Sequence, residues 1–305
     1  MTNLARAAWA VLAWSILTII GGAVVRATGS GAGCGPHWPT CNGELVPGFD
    51  RFDTLVEFTH RAFSGVALLV VILLAVAVRR RYPAGGQERR FALLSVVAIL
   101  GEAAIGAWLV LAELVADDDS VARAVAVPLH LVNTFFLLAV LTLLARSLTT
   151  GRRVVWRGPA RRSIVTGGVL LVLLGATGAV TALAGTLFPS ESLRDGLAAD
   201  LAREHFLTTL RVVHPFVAVG SAWYLLWVAN RWRVLRSARA FGPIIVAQLV
   251  VGVLNVVFLT PLAAQLVHLL LADVLLVAWV LMAADLMDER VAAFPPDVDE
   301  VTRTR

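Results

Sequence analysis

Stretches of roughly 20 apolar residues recur along the whole of this chain, the number an α-helix needs to cross a hydrocarbon core of about 30 Å. Eight such bands are read, at approximately 7–26, 58–78, 91–115, 123–145, 163–185, 205–229, 241–260 and 262–284 of the 305 residues. With 58% hydrophobic and 15% charged residues and a mean hydropathy of +0.80, the chain is too apolar for a soluble globular domain of this length. The expected fold is therefore an all-α integral membrane protein with eight transmembrane helices.

All 26 basic residues are arginine, and their placement predicts orientation, because basic residues in short loops stay on the cytoplasmic side. Arg79, Arg80, Arg81, Arg89 and Arg90 separate bands 2 and 3. Arg146, Arg152, Arg153, Arg157, Arg161 and Arg162 follow band 4, and Arg231, Arg233, Arg236 and Arg239 follow band 6. With Arg6 and the tail arginines, 19 of the 26 fall on one side. Both termini are expected to be cytoplasmic, with 27–57, 116–122, 186–204 and the turn near Pro261 facing outward. The basic charge is thus a topology signal, and a nucleic-acid partner is not expected. Only about six residues precede the first band, which is also too long and too uninterrupted for a cleaved secretory signal. A bacterial plasma membrane is the expected location.

Self-similarity changes what each polar residue means. Gly22-Ala23-Val24 and Gly29 at the end of band 1 align with Gly178-Ala179-Val180 and Gly185 at the end of band 5. Glu102 and Gly106 align with Gln248 and Gly252, His60 and Gly65 loosely with His214 and Gly220, and His130 with His268. The expectation is two pseudo-repeated four-helix bundles, at 1–146 and 163–285, joined by a cytoplasmic linker at 147–162 and followed by a cytoplasmic tail at 286–305. The glycines suit close helix approach or leave room for a flat ligand.

Four of the six histidines, His60, His130, His214 and His268, fall in even-numbered bands, which run from outside to inside, and all four lie in the outer halves. An imidazole inside a membrane is costly unless partnered, and four at matching depths point to a shared purpose. Imidazoles facing each other across a bundle are a common way to hold haem iron from both sides. Zinc would normally bring closer spacing, thiolates or carboxylates. His37 and His205 read as surface residues. Glu102, Gln248 and Asp273, within apolar bands, are expected to hydrogen-bond between helices.

The first outward segment runs Arg26-Ala-Thr-Gly-Ser-Gly-Ala-Gly-Cys34-Gly-Pro-His-Trp-Pro-Thr-Cys41, and band 2 opens with Glu57-Phe-Thr-His60-Arg61. These motifs, with the later single histidines, resemble the haem A synthase family over nearly the whole chain to about residue 285. The match is most specific in the first 65 residues; His214 is followed by Pro215 where the family pattern has an arginine. The resemblance implies an enzyme that oxidises the C8 methyl of haem O to a formyl group by successive oxygenations, giving haem A for terminal oxidases. It implies substrate haem on His60 and His130 and a haem B cofactor on His214 and His268. An external electron donor is also implied, because no flavin or iron–sulfur motif is present. Haem O synthase and oxidase assembly factors are candidate partners beside the lipid bilayer.

Beside the resemblance, Cys34 and Cys41 are the only cysteines and share an outward loop, where a disulfide can form. Glu57 lies one turn before His60 and four residues before Arg61. It reads either as a residue answering the helix dipole and pairing with Arg61, or as a catalytic acid beside a haem edge. Arg26, Arg61 and Arg211 lie near the outer interface, where they can hold haem propionates or snorkel to headgroups. A di-haem cytochrome b-like electron carrier would use the same histidines without substrate chemistry. A transporter would more typically break its helices at mid-membrane.

Overall fold

The computed structural model describes residues 1–288, and what is described is helical apart from turns and isolated bridges. In chain order the helices are α1 (Asn3–Ala27), α2 (Phe52–Arg81), α3 (Gln87–Leu111), α4 (Val121–Thr150), α5 (Arg161–Leu187), α6 (Leu193–Ala202), α7 (Phe206–Arg211), α8 (Val213–Arg231), α9 (Arg236–Val257) and α10 (Leu262–Leu286). Eight helices are long and apolar enough to cross a membrane, α7 and α8 together making one of them. The chain is a multi-pass membrane protein. Arg290, Arg303, Arg305 and the rest of the expected tail beyond Asp288 lie outside the described residues.

Most helices outrun their apolar bands, since a backbone entering the headgroup region still gains from internal hydrogen bonds while terminal arginines reach to water. Two helices instead stop early. α3 ends at Leu111 where the expected band ran to 115, because Glu113 and Ala116 turn the chain through positive φ. α9 ends at Val257 rather than 260: Leu259 and Thr260 take positive φ, and Pro261 disfavours helical geometry just before it. α6 was not expected within 186–204; Ser192 starts it by accepting from the Asp195 N–H. Ser120 caps α4 in the same way, and Gly151 closes that helix at φ 65°.

α1, α2, α3 and α4 pack in a ring, each against the next and α4 back onto α1; α5, α8, α9 and α10 form a second. α4 touches α5 and α10 as well, and α1 touches α10, so α1 and α4 are the seam between the rings. The larger of two apolar clusters runs through both rings; the smaller gathers Ala124 of α4, Leu183 and Ala184 of α5 and Leu207 of α7 at the histidine end. The larger gathers Ala5 to Leu12 of α1, Ala67 to Val78 of α2, Ala92 to Ile99 of α3 and Phe135 to Leu148 of α4. From the second ring it takes Ile164 and Leu171, Ala222 to Ala229, Ala238 to Ile245 and Leu275 to Met287. These segments all lie in the half of each helix nearer the arginine-rich loops. Most of the dense packing is therefore at one end, and the four intramembrane histidines, themselves half-buried, are at the other beside the smaller cluster.

At the arginine-rich end the linker is tied down. Arg146, only 4% exposed, donates to Asp285 at 3.0 Å and Asp288 at 3.2 Å. Val155 N–H donates to Met287 O at 2.8 Å, and the Gln87 side chain bridges to Arg152 O and Val154 N. Arg146, counted above only as a topology signal, is a buried cross-tie between α4 and the end of α10.

Candidate functional site

Each of the four histidines faces a glycine on the neighbouring helix of its ring. A methyl group added at Gly22 of α1 would meet the His60 ring at 3.1 Å, and one at Gly178 of α5 would meet His214 at 3.1 Å. Gly252 of α9 stands in the same relation to His268 at 3.1 Å, and Gly106 of α3 lies against His130 at 4.0 Å. At Gly22, Gly178 and Gly252 glycine lets the flat rings lie on helix backbones where a side chain would crowd them; at Gly106 a Cβ would be in ordinary contact. Within each ring the two histidines stand on diagonal helices, His60 on α2 and His130 on α4 in the first, His214 on α8 and His268 on α10 in the second.

The ring nitrogens divide into engaged and unengaged atoms. His130 Nε2 lies 3.3 Å from a Glu102 carboxylate oxygen, and His268 Nε2 lies 3.3 Å from Gln248 Nε2. His214 Nδ1 contacts Thr177 Oγ1 at 3.1 Å. In contrast, Nδ1 of His60, His130 and His268 is buried with no hydrogen-bond partner among the described residues. Buried polar atoms normally have partners, so three orphaned imidazole nitrogens at one depth are atoms suited to a ligand. No group of three or more His, Cys, Asp or Glu residues with metal-holding geometry occurs among the described residues. The arrangement suits two-ligand axial binding better than a protein-enclosed zinc ion.

The outer loop is built onto helix α2. Cys34 and Cys41 form a disulfide. Glu57, 3% exposed, accepts the Cys34 N–H at 2.8 Å through one oxygen and Arg61 at 2.5 and 3.1 Å through the other. Arg61 also donates to the carbonyls of His37 and Thr40, both at 2.6 Å, and Thr54 Oγ1 donates to Gly33 O at 2.7 Å. One glutamate and one arginine, flanking His60 on a single helix, thus hold both ends of the disulfide loop. The pairing of Glu57 with Arg61 was legible from their spacing, but the bond to Cys34 was not.

Arg26 leaves α1 and donates to Ala182 O at 2.7 Å, to Thr186 and to Gln265 Oε1 at 2.8 Å, tying three helices at the seam. Arg211 is held by Asp200 of α6 and by Phe188 O at 3.2 Å. The three arginines singled out from the sequence therefore all lie at the histidine end and are all oriented by protein acceptors. His37 is exposed, as expected; His205 caps α7 and contacts Asp119 at 3.3 Å.

Glu102 does bond between helices, to Asn133 Nδ2 at 2.5 Å and Thr134 Oγ1 at 3.0 Å. Asn133 and Thr134 went unnoticed in the sequence, although offsets of three and four from His130 put them on its face of α4. Asp273 departs from its expected bonding: it is fully buried, and neither carboxylate oxygen has a hydrogen-bond partner among the described residues.

Over 297 residues the chain is 41% identical to proteins named protoheme IX farnesyltransferase from two strains of Thermus thermophilus, covering 94% of this chain and 49% of theirs. It thus spans about half the length of these curated relatives. Over 92 residues it is 40% identical to proteins named heme A synthase from Bacillus cereus and Bacillus anthracis, covering 30% of each chain. The family model described as cytochrome oxidase assembly protein, COX15-CtaA, matches residues 5–280, a span that takes in both helix rings and all four intramembrane histidines, and the chain belongs to that family.

Proposed function

We propose that this protein is a haem A synthase, a membrane oxidoreductase that converts the C8 methyl of haem O to a formyl group. The observation that carries the reading is the set of four half-buried imidazoles, two in each ring on diagonal helices and each against a glycine, three of them with a ring nitrogen unpartnered among the described residues. These residues fit a flat iron porphyrin: no side chain stands between each imidazole and the neighbouring helix, and the orphaned nitrogens suit iron. In this reading His60 and His130 hold the substrate haem, and His214 and His268 hold haem B. When bound, haem B supplies a route for electrons from an external donor. The glycine and histidine correspondences between the rings support descent from a duplicated four-helix unit.

The methyl carbon would be oxidised in two oxygenation steps, each taking one dioxygen, two electrons from the external donor and two protons and releasing one water, to a geminal diol that loses water to leave the aldehyde. Glu57 is read as the group that holds and moves a proton during these steps, through the carboxylate that also accepts the Cys34 N–H. In this reading Arg26, Arg61 and Arg211, each oriented by protein acceptors at the histidine end, meet the propionates near the outer surface. The arginine-rich loops support cytoplasmic termini in a bacterial plasma membrane, with the disulfide loop outside.

A haem-farnesylating enzyme must supply the substrate. A relative that is named for farnesylating protoheme IX, and whose matched part is only half its length, supports direct association with such an enzyme. The test is to identify haems extracted from membranes expressing the chain with and without a haem O supply. Haem A appearing only when both are present is the expected result. Bound haem with no conversion of haem O would favour the electron-carrier alternative.

A further inference from the structure

The segment between α5 and α7, at the histidine end, carries an apolar stripe that the protein leaves uncovered. Leu193, Leu197 and Leu201 recur every four residues of α6 and so share one side of it. They are 49%, 61% and 70% exposed, and none of the ten residues of α6 is buried. Helices shorter than about 12–15 residues are marginal in water on their own, so a helix this short needs an apolar surface to lie on. The protein supplies little of one: α6 has its cap, Ser192, and rests chiefly on α7, where Asp200 accepts from Arg211 Nε at 2.9 Å. Its other acid, Asp195, is bonded to Ser192 at 2.6 Å. The cations are not engaged in this way. Arg194, one position after the first leucine, and Arg203, two after the last, make no hydrogen bond or ion pair among the described residues. The remaining acids of the segment, Glu191 and Glu204, lie off the helix.

We propose that α6 is an interfacial helix whose leucine stripe is seated in the membrane leaflet at the histidine end, with Arg194 and Arg203 reaching phospholipid phosphates. The inference stands on the fold and does not depend on bound haem. The stripe adjoins surface that already faces lipid: α7 carries exposed Leu210, and the outward side of that span continues through Val213, Phe216 and Val219, which are 43%, 74% and 66% exposed. Three leucines fall well short of the roughly 800 Å² per partner of a stable protein interface. They suit an amphipathic helix that lies in the membrane plane and sinks about 5–10 Å into the boundary between headgroups and acyl chains. Arginine stems cover apolar surface while the guanidinium stays with the phosphates. Asp200, one turn after Leu197, ties this seat to Arg211.

The test is site-directed spin labelling of the full-length protein in liposomes of phosphatidylcholine and phosphatidylglycerol. One label at a time is attached at Leu193→Cys, Leu197→Cys and Leu201→Cys, and away from the stripe at Ala198→Cys and Ala199→Cys, both exposed. Cys34 and Cys41 are joined to each other and do not compete for label. Power saturation compares collisions with oxygen, which concentrates among acyl chains, and with a water-soluble nickel chelate. The leucine positions should favour oxygen and the alanine positions nickel. Nickel favoured throughout puts the stripe in water and overturns the proposal. Exclusion of both reagents from the leucine positions reveals a protein surface there, a partner or a second copy, and overturns it equally. Amide exchange in the same liposomes gives a second reading should a labelled variant fail to accumulate. Leu193→Ser, Leu197→Ser and Leu201→Ser combined should quicken exchange over 193–202 by about tenfold or more, with the eight spans in place. Exchange at the native rate in that variant contradicts the seating.

Discussion

Replacing Glu57 with Gln separates two roles that the structure superimposes on one side chain. The native carboxylate accepts three hydrogen bonds, one from Cys34 N–H and two from Arg61. The amide has one oxygen, so if it keeps the Cys34 bond its NH2 group must face the guanidinium, donor against donor. Charge-assisted hydrogen bonds contribute about 1.5–3 kcal/mol each, and breaking a buried ion pair costs about 3–5 kcal/mol. Arg61 keeps the His37 and Thr40 carbonyls and is 13% exposed, so water softens the loss. A local cost of about 2–3 kcal/mol follows, well above the roughly 0.3–1 kcal/mol of a carboxylate that only answers a helix dipole. Since 1.4 kcal/mol is tenfold, amide exchange across residues 33–44 should quicken about 30- to 130-fold in the variant. Haem A formation should fall by about 10²–10⁴-fold if the same carboxylate also moves protons. Hydrogen-exchange mass spectrometry reads the first effect and chromatography of extracted haems the second. Unchanged exchange refutes the anchoring argument, and near-normal haem A at normal protein level refutes the catalytic one.

Gly33→Ala should detach the loop by a different route, because a Cβ there would sit 2.4 Å from the backbone of Asp53, which cannot swing aside as a side chain can; limited proteolysis between residues 35 and 50 should become rapid. His214→Ala and His268→Ala should each abolish the absorbance of the second-ring haem while leaving the protein in the membrane, and full haem retention in both would reject that ligand pair. A tag after Arg305 should be reachable only from the cytoplasm and residues 186–204 only from outside; cytoplasmic labelling of that segment would reverse the orientation.

The helices were legible because hydrophobic length is a one-dimensional property, and lipid leaves a polypeptide few other ways to satisfy its backbone. Their ends were less so. The stops of α3 and α9 depend on single residues taking positive φ, Glu113 and Leu259 among them, which no composition signal announces. The histidines stood out because an imidazole in an apolar band is costly. Their neighbours did not, since the contact of Glu102 with His130 depends on the rotation of α3 against α4. Asn133 and Thr134 were readable in principle, being one turn from His130 on the same face. The bond from Cys34 to Glu57 spans 23 residues, and the reach of Arg26 to Gln265 spans 239. Such contacts exist only once the helices are assembled. Asp273 shows the converse: its place in an apolar band suggested a polar partner that the packing of the described residues does not provide.

In the proposed function two imidazoles at one end of each helix ring hold iron porphyrin. The most direct measurement is low-temperature electron paramagnetic resonance of the purified ferric protein beside variants lacking one histidine of each pair. The account predicts low-spin ferric haem with two imidazole ligands in the native protein. It predicts loss of one such signal in His60→Ala or His130→Ala and of the other in His214→Ala or His268→Ala. Native protein free of haem, or low-spin signals that survive all four substitutions, would contradict it.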